Sequence, residues 1–211
     1  MVAVITGDII NSSIADSPKL WLKVLKKVLN VFGKEPKHWE IFRGDSFQLE
    51  IRKPQDALKA AIYIKASIKT LKNVDVRMAI GIGAKNYAAQ KITQSNGEAF
   101  VLSGRVFERL QKGKQTLAIE TTSEELNDEF NLSIKLALIA MDNWSTSSAE
   151  FVKTCIENEN LSQKELGEIL GISQSSTSER FSRAYFSEIM ELNNMYSAKI
   201  QKLTVSNDGL H

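Results

Sequence analysis

The chain begins with "MVAVITGDII", a short apolar run that leaves few folds open. A short continuous apolar run of this kind is expected for a strand covered on both faces. Asp8 is the exception within it. A carboxylate followed at once by Ile9 and Ile10 is costly unless something compensates its charge.

The next stretches alternate helix-like and strand-like periodicity. "SPKLWLKVLKKVLNVFGK" carries Leu22, Leu25, Leu29 and Phe32 at helical spacing, with Ser17 as N-cap, Pro18 at the first helical position and Gly33 as the stop. "EIFRGDSFQLEI" reads as a hairpin, with Gly44 and Asp45 as the central pair of a two-residue type II′ turn and Phe47, Leu49 and Ile51 facing inward. Pro54 opens a second, alanine-rich helix. In "VDVRMAIGIG" apolar residues alternate with Asp75, Arg77, Ala79, Gly81 and Gly83, the pattern of a half-buried strand. "GEAFVLSGRVFERLQKG" places Phe100, Phe107 and Leu110 on one helical face, and "QTLAIET" is a closing strand.

The first six elements run β-α-β-β-α-β, which predicts a ferredoxin-like antiparallel sheet with helices on one face, within an α+β protein. Thr122 and Glu125 are spaced as a capping box for a helix through "EELNDEFNLSIKLALIAMDNW". The polar stretch "STSSAE" then sets an expected boundary between residues 1–145 and an all-α unit over 146–211. In "LSQKELGEILGISQSSTSERFSRAYF", Ser162 and Glu165 form a capping box, Gly171 permits a tight turn and Ser173 caps the following helix. That is the cadence of a helix-turn-helix.

Composition limits the setting. With 211 residues, 43% hydrophobic, the chain can bury a large core. No apolar run approaches the roughly 18 residues of a membrane span, and no basic n-region precedes the first strand. The single cysteine and two histidines leave no internal disulfide and no Cys/His zinc arrangement. The expectation is a cytoplasmic protein with no membrane partner.

Asp8 and Asp45 are the residues that point to chemistry. Asp45 has an ordinary explanation, because Asp bonds local amides in turns. In a ferredoxin-like sheet, however, the first strand is central and adjoins the hairpin, so the two carboxylates would converge. Such a pair suits a hard cation that prefers oxygen ligands and brings phosphates with it. The alternative is that Asp8 is an N-cap-like or turn residue satisfied by the amides of "NSS".

The segments "VAVITGDIINS", "FRGDSFQLEI", "VRMAIGIG" and "SNGEAFVLSGRVFERL", in this order and at these spacings, resemble the four signature segments of class III nucleotidyl cyclase catalytic domains over about residues 1–120. With the C-terminal helix-turn-helix added, nearly the whole chain resembles the bacterial SatD family. The cyclase resemblance implies Mg²⁺ or Mn²⁺ at Asp8, Asp45 and the Ile9 backbone, holding a nucleoside triphosphate. It also implies a catalytic arginine at Arg105, supplied across a homodimer. Arg105 is equally readable as a helix-surface residue. Nucleotide contacts fall at Trp39, Arg43, Gly44 and Gln94, although Trp39 can instead pack in the core and Arg43 pair with a surface acid. Trp39 and Gln94 do not match the base-reading lysine and aspartate of adenylyl cyclases. The family's transition-state asparagine falls on Val101, which cannot hydrogen-bond.

For DNA, the second helix of the helix-turn-helix offers Gln174, Ser175, Ser176 and Ser178 to base edges and Arg180 and Arg183 to phosphates. Residues 149–200 hold five Lys/Arg against eight Asp/Glu, a net charge of −3 that opposes phosphate binding. The sequence therefore leads to the expectation of a transcriptional regulator with a metal–nucleotide sensor and a DNA-binding unit. The rival expectation is an active cyclase, or another phosphoryl-transfer enzyme, that dimerises through the helix-turn-helix.

Overall fold

The apolar opening run, Val2–Ile10, forms β1 at the centre of a five-stranded sheet. The other strands are β2 (Trp39–Phe42), β3 (Ser46–Ile51), β4 (Asp75–Gly83) and β5 (Leu117–Glu120). Their spatial order is β2-β3-β1-β4-β5, with antiparallel neighbours throughout except the parallel β4–β5 pair. The computed structural model describes residues 1–13 and 18–208, so the predicted N-cap Ser17 lies outside the described residues. Among the described residues, eight α-helices complete a mixed α+β fold.

Both faces of β1 are covered. Helices α1 (Pro18–Phe32) and α2 (Ala57–Lys69) bury Leu25, Leu29, Leu58 and Ile62 in one core with Ala3, Ile5 and Ile9. Helix α3 (Glu98–Gln111) lies on the opposite face, where Ala99 and Phe100 meet Val4, and Val106 meets Ala79. This corrects the half-buried reading of β4. Ala79, Gly81 and Gly83 are buried beneath α3, and their small size records close approach rather than exposure. A Cβ on Gly81 would sit 2.3 Å from the Ala99 carbonyl oxygen and 2.3 Å from the Ser103 amide nitrogen. Thr6 and Ser103 join β1 to α3 through a buried hydroxyl pair at 3.0 Å.

Two local expectations change. Phe42 pairs with Ser46, so the hairpin loop has three residues, Arg43, Gly44 and Asp45, in place of a two-residue turn. Arg43 (φ 51°) and Gly44 (φ 91°) both take positive φ, which carries the chain round the longer loop. Helix α4 (Glu124–Met141) is capped by Ser123, whose side chain accepts from the Leu126 amide, not by a Thr122–Glu125 box.

The C-terminal helices are α5 (Thr146–Glu157), α6 (Gln163–Leu170), α7 (Gln174–Arg183) and α8 (Phe186–Asp208). The stretch expected to divide the chain near residue 145 is a helix cap, with Ser145 accepting from the Ser148 amide. Ala149 and Val152 of α5, and Ile189, Tyr196 and Ile200 of α8, belong to the same core as α1 and α2. The Tyr196 hydroxyl donates to the Pro54 carbonyl at 2.6 Å, tying α8 to the entry of α2. A further cluster joins α6 and α7 to α5, in which Leu166 packs with Phe151 and Cys155, and Phe181 against them.

A charged side chain lies inside this core. Lys65 of α2 is fully buried, and its ammonium contacts Asp75 at 2.8 Å, Asp142 at 2.7 Å and the Thr116 hydroxyl at 3.2 Å. The ammonium donates to Asp75 and Thr116 and is ion-paired with Asp142, the compensation that burial of a charge demands.

Candidate functional site

Asp8 emerges near the end of β1, directly opposite Ser46 of β3 and Arg77 of β4. Strand alternation turns it to the α3 face, at the C-terminal end of that helix, where Gln111 is a neighbour. Burial raises the pKa of its carboxyl above the usual aspartate value. The Arg77 guanidinium, 3.8 Å away, opposes that rise, the charge of Asp45 adds to it, and hydrogen bonding from the Gln111 side chain to the carboxyl opposes it more weakly. Asp8 Oδ1 is buried and has no hydrogen-bond partner. An acceptor in that state is satisfied by a proton, a water or a bound cation.

Asp45 reaches the same place from the hairpin. Its carbonyl accepts from the Ile9 amide at 3.2 Å, and its Oδ2 accepts from the Ser12 hydroxyl at 2.6 Å. Trp21 of α1 holds the segment after β1 by donating its indole N–H to the Ser12 carbonyl at 3.3 Å. Ile9 has a buried side chain, so only its backbone faces the site. Arg43 and Gly44 are exposed beside Asp45. Two carboxylates, one arginine and one hydroxyl thus converge at the end of the sheet. Arg77 was missed in sequence, although its alternate position in "VDVRMAIGIG" places it on the Asp8 face.

The remaining predicted residues are dispersed. Trp39 is buried, with its indole donating to the Gly33 carbonyl at 3.0 Å, so its ring would have to leave the core to stack on a base. Gln94 is exposed on the short helical turn Ile92–Gln94, in a loop that Lys85–Glu50 and Lys91–Glu40 ion pairs fasten over β3 and β2. Arg105 lies on the exposed side of α3, where it and Arg109 pair with Glu120 at the end of β5. Val101, four residues earlier on α3, is exposed and apolar.

The α6–α7 pair has the predicted caps. Ser162 and Glu165 complete a reciprocal capping box, Gly171 ends α6 at φ 63°, and Ser173 accepts from the Ser176 amide at the start of α7. The helices cross closely, since a Cβ on Gly167 would meet the Thr177 hydroxyl oxygen at 2.6 Å. Gln174, Ser175 and Ser178 are exposed. Ser175 and Ser176 also bond the Ser173 hydroxyl, at 2.9 and 3.0 Å. Both arginines of α7 are engaged within the chain, Arg180 with Glu150 of α5 and Arg183 with Glu179.

Among the described residues no helix is long and apolar enough to cross a membrane. No curated protein matches the chain. The SatD family model matches residues 1–194, and the chain belongs to the SatD family.

Proposed function

We propose that this protein is a ligand-sensing regulator whose sheet is ferredoxin-like and cyclase-like and binds a metal–nucleotide complex. The observation that carries the reading is the buried Asp8 oxygen without a partner, beside a second carboxylate at Asp45. The β2-β3-β1-β4 antiparallel order, with α1 and α2 on one face, supports the ferredoxin-like assignment. Among the described residues no group of three or more His, Cys, Asp or Glu is placed to hold a metal ion, so the carboxylates at hand are two. Asp8, Asp45 and the Ile9 backbone would therefore hold Mg²⁺ or Mn²⁺ with phosphate oxygens completing the shell, as a hard cation bound through two carboxylates does. The cation would supply charge neutralisation for the phosphates, and Arg77 and Arg43 lie close enough in the fold to add to it.

The α6–α7 pair is the DNA-facing unit of this reading, with Gln174, Ser175 and Ser178 as the groups open to base edges. Its route to the sheet runs through α5, which pairs with α2 through a Tyr63 hydroxyl bond to Glu157 at 2.6 Å, and through the turn after α5, where Glu159 pairs with Lys59. An exposed Val101 in place of a polar group favours binding over cyclisation.

Calorimetric titration of ATP and GTP in Mg²⁺ or Mn²⁺ tests the site. Binding that requires the metal and weakens at least tenfold in Asp45→Ala is the expected result. A titration unchanged by that substitution removes the metal site. Anisotropy of labelled duplex DNA, with and without the nucleotide, tests the α6–α7 assignment against Gln174→Ala. Any cyclic product on chromatography would replace sensing with catalysis.

A further inference from the structure

Helix α4 turns Phe130, Ile134, Leu138 and Met141 into the core, yet Leu132, Leu136 and Ile139 on its outer side are 62%, 61% and 69% exposed. Those three recur at spacings of four and three, the period of a helix-packing seam. Beside this ridge runs an apolar groove of about 830 Å³ between α4 and the start of α8. Leu136 and Ile139 form one wall, Tyr185, Leu192 and Met195 the other, and Ala137 contributes a small side chain to the lining. Tyr185 holds φ 51°, a conformation that a bulky residue adopts only when its surroundings impose it, with its side chain at the groove.

We infer that this face is the contact between two copies of the chain, the Leu132–Leu136–Ile139 ridge of each seated in the groove of the other. Ridge and groove are adjacent on one surface, so a two-fold axis satisfies both at once, as an isologous interface requires. Charge supports the same occupant. Lys135 stands on the ridge, Glu188 and Glu191 line the opposite wall, and none of the three forms an ion pair with another described residue. Two-fold pairing brings Lys135 of each copy towards the glutamates of the other. Helix α4, 18 residues long, extends about 27 Å and two packed helices are roughly 20 Å across with their side chains. The paired faces therefore cover on the order of 1,000 Å² in total, near the lower bound for a stable association. This contact is independent of the metal–nucleotide reading. Because Tyr185 follows α7 closely in the chain, the contact would also set the separation of the two α7 helices.

Sedimentation velocity on the full chain at tens of micromolar, without nucleotide, tests it. The unsubstituted chain should sediment as a dimer, and Leu136→Glu, at an exposed position, should be monomeric with an unchanged circular dichroism spectrum. Lys135→Glu should weaken the dimer by about tenfold through like charges across the contact, and adding Glu188→Lys and Glu191→Lys should restore it. A monomeric unsubstituted chain would overturn the proposal. So would a dimer indifferent to Leu136→Glu, or charge reversals that fail to compensate.

Discussion

Replacing Lys65 by Met removes an ammonium while keeping most of an unbranched side chain of similar reach. Lys65 is fully buried, and its loss leaves Asp75 and Asp142 facing each other without their shared cation. Removing one partner of a buried ion pair costs about 3–5 kcal/mol. The lower end applies here, because each acid keeps other partners. Asp75 still has Lys69 at 3.1 Å and the Val76 amide at 2.7 Å, and Asp142 still accepts from the Thr116 hydroxyl at 2.6 Å. A loss of about 3 kcal/mol corresponds to a fall in Tm of roughly 6–12 °C for a chain of this size. Urea denaturation followed by circular dichroism should show a lower midpoint with an unchanged slope. Adding Asp142→Asn to Lys65→Met removes one uncompensated charge and should recover part of the loss, an interaction that a double-mutant cycle isolates. A Lys65→Met variant within 1 kcal/mol of the parent would refute the account of this cluster as a charge network under strain of burial. A double variant that is weaker still would assign the effect to packing.

Two glycines should respond in opposite directions. Gly81→Ala drives a methyl into the α3 backbone and should cost about 3 kcal/mol in urea denaturation, whereas Gly104→Ala on α3 meets nothing within 4 Å and should add about 0.5–1 kcal/mol of helix propensity. Asp8→Asn should raise Tm at pH 7 and abolish stabilisation by Mg²⁺ with nucleotide. The sign follows from the raised folded-state pKa of Asp8: the native state takes up the proton more readily than the unfolded chain. Stability from this group therefore grows as pH falls through the folded pKa, and its ionised form is a cost above it. A calorimetric Tm that falls in Asp8→Asn would contradict this sign.

Apolar periodicity made β1, α1 and the α6–α7 pair legible, because each carries its burial pattern or its caps within a few adjacent residues. Ser162, Glu165, Gly171 and Ser173 act on backbone groups no more than four positions away, and local chemistry of this kind survives in any tertiary setting. What sequence could not resolve depends on partners distant in the chain. Ala79, Gly81 and Gly83 look like the exposed side of a strand until α3 is placed against them, at which point their smallness is what lets the helix descend onto the sheet. The polar run after Trp144 has the composition of a linker and the position of a cap, and only the apolar faces of α5 and α8 decide between them. The same dependence governs Asp8. Alone it is a charge that should be avoided in a buried strand, and Arg77, its cross-strand neighbour, compensates only one side of it. The oxygen left without a partner is a cost to the native state that stability alone gives no reason to keep, which is the physical ground for reading it as a binding group.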